Sequence, residues 1–234
     1  MSLLILSFAP VLIILLYVYY RDKYEKEPLS LLIKGLLAGM LIVLPIASAE
    51  EVATLIINPE GLGNISSAFF TAFFIAALIE EGFKYLAVYL LIWKNKEFNE
   101  RFDGIVYAVF VSLGFALIEN IMYIFSNENG VAVGVTRALT AVPAHAIFGI
   151  LMGYHLGLAR FDIKGRTKHL INAFFYPFLF HGLYDFVLMS GLQLILLMFI
   201  PLLGYMYYRA NKRMKTLSDM SVFNPDNQNN VYPS

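Results

Sequence analysis

Eight side chains able to carry charge or bridge by hydrogen bonds fall inside otherwise apolar stretches: Glu80, Glu81 and Lys84, then Glu119 and Asn120, then His145, then His181 and Asp185. A charged residue at mid-bilayer costs about 2.5 to 3.5 kcal/mol on insertion scales, while a Leu or Phe returns only about 0.3 to 0.6, so these residues need a reason to be there. Carboxylates and imidazoles in a dry pocket can activate water on a carbonyl, one group acting as base and another as acid or oxyanion donor. Hydrolysis is the chemistry this set suggests. Spacing supports it, because residues three and four apart share a helix face. Glu80 and Lys84 are four apart and Glu81 and Lys84 three apart, so one Lys can hold one of two neighbouring carboxylates ionised while the other is poised. His181 and Asp185 are also four apart, and Asp185 can orient the imidazole.

Other chemistries lack their residues. The chain has 0 Cys, which removes thiolate nucleophiles, thiolate metal sites and disulfide frameworks. No His-Glu-x-x-His zinc motif and no Gly-x-Ser-Gly-type nucleophile is present. Asp185 follows Tyr184 as in one half of an aspartyl dyad, but its only partner candidate, Asp103, falls at the membrane boundary. Ligation of a metal by His145, His181 and a Glu is open on ligand type, although no spacing requires it. A formal net charge of 0 gives no electrostatic case for nucleic acid.

The elements that must position these groups follow from composition. Of 234 residues, 59% are hydrophobic and 15% charged, too little polar surface for a water-soluble domain of this size. The expected fold is all-α, a polytopic membrane bundle of about seven transmembrane helices near 3–20, 29–49, 66–93, 104–125, 136–159, 170–189 and 192–208. Residues 1–217 form one bundle domain, and 218–234 read as a polar, disordered cytoplasmic tail. The first stretch has its basic residues after its apolar run, which reads as an anchor and not as a secretory signal. Pro45 is expected to kink the second span. Fifteen of the 17 basic residues fall after the first, third, fifth and seventh spans or just inside the second, placing the N-terminus outside and the C-terminus in the cytoplasm. At 1.5 Å per residue, the ionisable groups of four spans reach one layer about 18 to 25 Å from the cytoplasmic charges.

Several polar residues have simpler readings. Arg137 is expected to snorkel at the outer interface, Glu50 and Glu51 to form a solvated pair, and His155 and His169 to be interfacial. His145 lies above Gly149, Gly153 and Gly157 at four-residue steps, a seam that lets another helix approach closely, so His145 faces protein.

The series Glu80-Glu81-Gly-Phe-Lys84, Phe115-Ala-Leu-Ile-Glu119-Asn120, His145 and His181-Gly-Leu-Tyr-Asp185, on successive spans, resembles the motif set of the PrsW family of intramembrane proteases. It is also similar to the wider group holding the type II CAAX prenyl endopeptidases, in which the second motif usually ends in His where this chain has Glu119. The resemblance implies a glutamate-dependent, metal-independent endopeptidase of the bacterial plasma membrane, with no cofactor. Its partners would be membrane lipid and a single-pass substrate, an anti-sigma factor receiving its first cut and releasing a stress-response sigma factor. It implies Glu80 and Glu81 as the essential pair with His181. Glu81 is then expected as general base, with Glu80 and Lys84 setting its charge or the two Glu exchanging roles. Glu119, Asn120 and His145 complete the pocket. Three other readings compete: a CAAX-type prenyl endopeptidase, a proton-coupled transporter, and a non-catalytic scaffold whose polar layer only fixes helix packing.

Overall fold

The computed structural model describes residues 3–227, and among them all regular structure is helical. The elements are α1 (Leu3–Arg21), α2 (Leu29–Leu41), α3 (Val43–Ile57), α4 (Asn64–Phe70), a π-helical turn (Thr71–Ala77), α5 (Leu78–Ile92), α6 (Asp103–Ser126), α7 (Gly130–Leu139), α8 (Ala141–Phe161), α9 (Arg166–Met189), the short α10 (Gln193–Leu196) and α11 (Phe199–Asp219). A 3-10 turn, Pro59–Gly61, follows α3. Each of the seven stretches expected from sequence coincides with a helical run. Among the described residues, five runs are long and apolar enough to cross a membrane by length and composition: Leu3–Arg21, Leu29–Gly61, Asp103–Ser126, Gly130–Phe161 and Gln193–Asp219. The other two, 64–92 and Arg166–Met189, hold the Glu pair with Lys84 and the His181–Asp185 pair.

Besides the break at Leu197–Met198 between α10 and α11, two runs are broken, and proline explains both. Pro45 and Pro143 lack an N–H, and their rings clash with the carbonyls of Leu41 and Leu139. The helix accordingly breaks at Ile42, between α2 and α3, and at Thr140, between α7 and α8. The first break is the expected kink. The second divides what reads in sequence as a single span.

α6 is the central post, buried from Asp103 to Leu117 and packed against α1, α2, α5, α7 and α8. The glycine seam of α8 lies on it. A Cβ on Gly153 would sit 2.2 Å from the Gly104 carbonyl oxygen, and one on Gly157 2.1 Å from that of Arg101, so only glycine lets the two backbones come this close. Past α11, Ser221 is 1% exposed and donates to Glu100, so the polar segment from 218 begins packed against the bundle; 228–234 lie outside the described residues.

Candidate active site

The Lys84 ammonium is the hub of the polar layer. Fully buried on α5, it donates to Glu80 Oε2 at 2.8 Å and Glu81 Oε1 at 2.9 Å, and lies 3.3 Å from His145 Nδ1 on α8. These three partners use all three of its hydrogens. Since Lys84 can only donate, His145 Nδ1 accepts and its proton resides on Nε2, which donates to Glu119 Oε2 on α6 at 2.9 Å. The Phe115 ring adds a face under the ammonium at 4.1 Å. On the other side, His181 of α9 places Nδ1 3.0 Å from Glu81 Oε1 and Nε2 3.2 Å from Asp185 Oδ2. Phe148 stacks on that imidazole at 4.8 Å and holds its plane. Asp185, His181, Glu81, Lys84, His145 and Glu119 thus form one continuous chain of polar contacts across four helices.

The π-helical turn ends three residues before Glu80 and sets which carboxylate faces which way. Such a turn adds a residue to the helical repeat and rotates everything after it. It is held by Phe73, which lies where a Cβ of Gly182, the neighbour of His181, would be only 2.4 Å away. Glu80, Glu119, His145, His181 and Asp185 line a cavity of about 680 Å³ at the end of the bundle away from the basic loops. Glu81, Lys84 and Asn120 are not on its wall. Glu81 is fully enclosed behind Glu80, with Oε2 buried and unpartnered, so water in the cavity meets Glu80.

Two residues with other expected roles are found at this cavity. Arg137, expected to snorkel, turns inward because α7 is a separate helix: its Nη2 donates to Glu119 Oε2 at 2.6 Å and its Nε to Asn120 Oδ1 at 2.9 Å. The signal for this was Pro143, which forbids a straight helix through Thr140. Glu50 and Glu51 do not behave as a pair; Glu50 lines the cavity and Glu51 is exposed. No sequence signal separated them beyond their neighbouring positions on a helix, which point in different directions.

Residues 27–208 match the family model described as PrsW family intramembrane metalloprotease. The chain belongs to the PrsW family. A protein named Protease PrsW from Oceanobacillus iheyensis is 39% identical over 96% of this chain and 100% of its own length. One of the same name from Geobacillus kaustophilus is 41% identical, covering 81% of this chain and 80% of its own, and one from Bacillus subtilis is 35% identical over 92% and 96%. No solved structure matches the chain.

The PrsW description names a metal, and among the described residues at this site one donor set lies near enough to hold one: Glu80, Glu81 and His145 offer atoms within 4.8 Å of one another. As arranged they do not fit a metal ion. The Lys84 ammonium already lies within 3.3 Å of an atom from each of the three, supplying the positive charge that the site's centre calls for. Seating a divalent ion there would require a fully buried cation to leave against direct repulsion.

Proposed function

We propose that this chain is a glutamic-type intramembrane endopeptidase that hydrolyses a peptide bond of a single-pass, membrane-anchored regulatory protein, with water activated by Glu80. The observation carrying this reading is that Glu80, the one member of the Glu pair on the cavity wall, faces the same space as His181 and Glu119. Lys84 holds Glu80 through Oε2, and the other oxygen takes no hydrogen bond from the described residues, free to accept one from water. In the reaction the water oxygen attacks the peptide carbonyl carbon as Glu80 takes its proton. His181 Nε2–H swings from Asp185 to the developing oxyanion. The proton on Glu80 then passes to the amide nitrogen as the C–N bond breaks, releasing acid and amine. Glu81 becomes a positioning residue that ties Lys84 to His181, the converse of the role sequence suggests for it.

The same reading takes all seven helical runs as spans, with the N-terminus outside and the C-terminus in the cytoplasm of a bacterial plasma membrane. What supports it is the gathering of basic residues at the bundle end opposite the cavity. The cavity then opens toward the outer leaflet, suited to a first cut near the external end of an anti-sigma factor and ill placed for a prenylated C-terminus arriving from the cytoplasm.

The test is cleavage of a co-reconstituted single-pass substrate in liposomes. Glu80→Gln and His181→Ala are expected to stay folded and lose cleavage, and 1,10-phenanthroline is expected to leave the parent active. Unchanged cleavage by Glu80→Gln, or abolition by the chelator with restoration by zinc, would overturn the scheme.

A further inference from the structure

A second acidic centre lies at the other end of α6, about 24 Å along the helix from Glu119. There the loop between α1 and α2 meets the loop entering α6, and Glu25, Glu27 and Asp103 offer oxygens within 4.8 Å of one another. One oxygen of each is engaged. Asn99 Nδ2 donates to Glu25 Oε1 at 3.1 Å, the Tyr107 hydroxyl donates to Glu27 Oε2, and the backbone N–H groups of Asn99 and Glu100 donate to Asp103 Oδ2 at 2.9 and 2.7 Å. The other oxygen of each, Glu25 Oε2, Glu27 Oε1 and Asp103 Oδ1, is buried without any hydrogen-bond partner. Glu27 is 3% exposed and Asp103 0%. Neighbouring Lys26 does not serve them, because its Nζ donates to the carbonyls of Tyr19 and Asp22.

Two buried carboxyl groups and a half-buried one, each anchored through one oxygen and presenting the other without a donor, come together with no basic side chain paired to them among the described residues. We propose that Glu25, Glu27 and Asp103 bind a hard divalent cation of the calcium or magnesium class, which ties the α1–α2 loop to the start of α6. The donors are all oxygen, with no imidazole or sulfur to select a softer metal. Oxygens bound to one calcium-sized ion stand at most about 4.6 to 5.2 Å apart, so three oxygens within 4.8 Å of one another are close enough to share one, water filling the remaining positions. Because α6 carries Glu119 to the cavity, the ion would hold the foot of a helix that bears part of the active site. This site is independent of the reading of the cavity.

The competing arrangement is a proton shared between Glu27 and Asp103. To separate the two, the full chain is purified in detergent, stripped with EDTA, exchanged into chelator-free buffer and titrated with terbium as a calcium probe, exciting tyrosine emission transfer through Tyr107, followed by competition with CaCl2 and MgCl2. One equivalent of terbium displaced by calcium, with a rise in thermal unfolding temperature on adding CaCl2, is expected. Asp103→Asn and Glu27→Gln should weaken binding by about tenfold or more, since affinity follows ligand charge, while Glu80→Gln should not alter it. If those two variants do not fold, Glu25→Gln, at the solvent edge of the triad, gives the same comparison. Absence of sensitised emission and of any unfolding shift up to about 10 mM CaCl2 or MgCl2, beyond the weakest natural sites, would overturn the proposal, as would binding unaffected by all three acidic variants.

Discussion

Lys84 Nζ lies 3.3 Å from His145 Nδ1, and with this contact the last hydrogen of a buried ammonium is spent on an imidazole from a different helix. The consequence runs outward. It fixes the His145 tautomer, which fixes the donor to Glu119, so the charge on α5 determines the hydrogen bonding of α6 and α8 together. A single side chain thereby couples both carboxylates of the Glu pair to the opposite wall of the cavity.

Lys84→Met should therefore be costly. It leaves Glu80 and Glu81 adjacent and buried without their cation, and breaking a buried pair in this way costs about 3 to 5 kcal/mol. A lowered unfolding temperature in detergent is expected, partly recovered in the Glu81→Gln/Lys84→Met double variant. A singly substituted protein as stable as the parent would show that the ammonium does not hold the pair.

The two glutamates should separate kinetically. Glu80→Gln removes the group facing water and is expected to lower kcat by about 10² to 10⁴ with KM little changed, the usual worth of a general base. Glu81→Gln keeps the shape but weakens the contacts to Lys84 and His181, so a smaller loss is expected. Single-turnover cleavage of the reconstituted substrate measures both, and a larger loss for Glu81→Gln would return the base role to that residue.

How much of this was legible in sequence depends on whether a contact is local. The pairs Glu80–Lys84 and His181–Asp185 follow from a four-residue spacing, and they lie at 2.8 and 3.2 Å. The approach of α8 to another helix was readable from Gly149, Gly153 and Gly157. By contrast, the Lys84–His145 contact spans 61 residues and needs the packing of separate helices. That Glu80 faces the cavity and Glu81 does not depends on the phase of the π-helical turn, which apolar periodicity does not record. Arg137 was misplaced because a broken helix was read as continuous, though Pro143 carried the information.

The glycine seam can be tested by its own geometry. Gly153→Ala places a methyl 2.2 Å from the Gly104 carbonyl, where only backbone movement can make room, and would push α8 with His145 away from α6. A destabilisation of about 1 to 3 kcal/mol or more is expected, with cleavage falling alongside. Gly204→Ala on α11, where nothing lies within 4 Å of the new methyl, should leave stability unchanged or slightly raised. Equal behaviour of the two would mean that the close approach of α6 and α8 is not needed.

Asp22, in the loop after α1, offers a test by pH. Burial, with the Glu100 charge second, pushes its carboxyl up from 3.8 to about 7. A raised carboxyl pKa means that the folded state holds a proton the unfolded chain has lost. Stability from this group is therefore complete below the unfolded value and declines as pH rises from about 4 to about 7. Asp22→Asn, permanently neutral, should escape that decline: in chelator-containing buffer it should match the parent near the acid end of the window and exceed it above about pH 7. Unfolding temperatures across the window decide it, and parallel curves for the two proteins would rule the effect out.

Arg137 holds Glu119 from outside the network just as His145 holds it from within, both reaching the same oxygen, Oε2. The guanidinium also spans to Asn120 and lies 4.1 Å over the Tyr123 ring, so it has the fork geometry and the stacking face that a lysine lacks. If its task is to position Glu119, Arg137→Gln should lower kcat by up to about 10²-fold with KM unchanged, the scale of a small misplacement at a reacting group. Arg137→Lys, keeping the charge but losing the fork, should recover only part of that. Were Arg137 instead a clamp on the substrate backbone, KM would rise while kcat stayed near the parent value. The split between the two constants, measured on the same reconstituted substrate, assigns the residue to one role or the other.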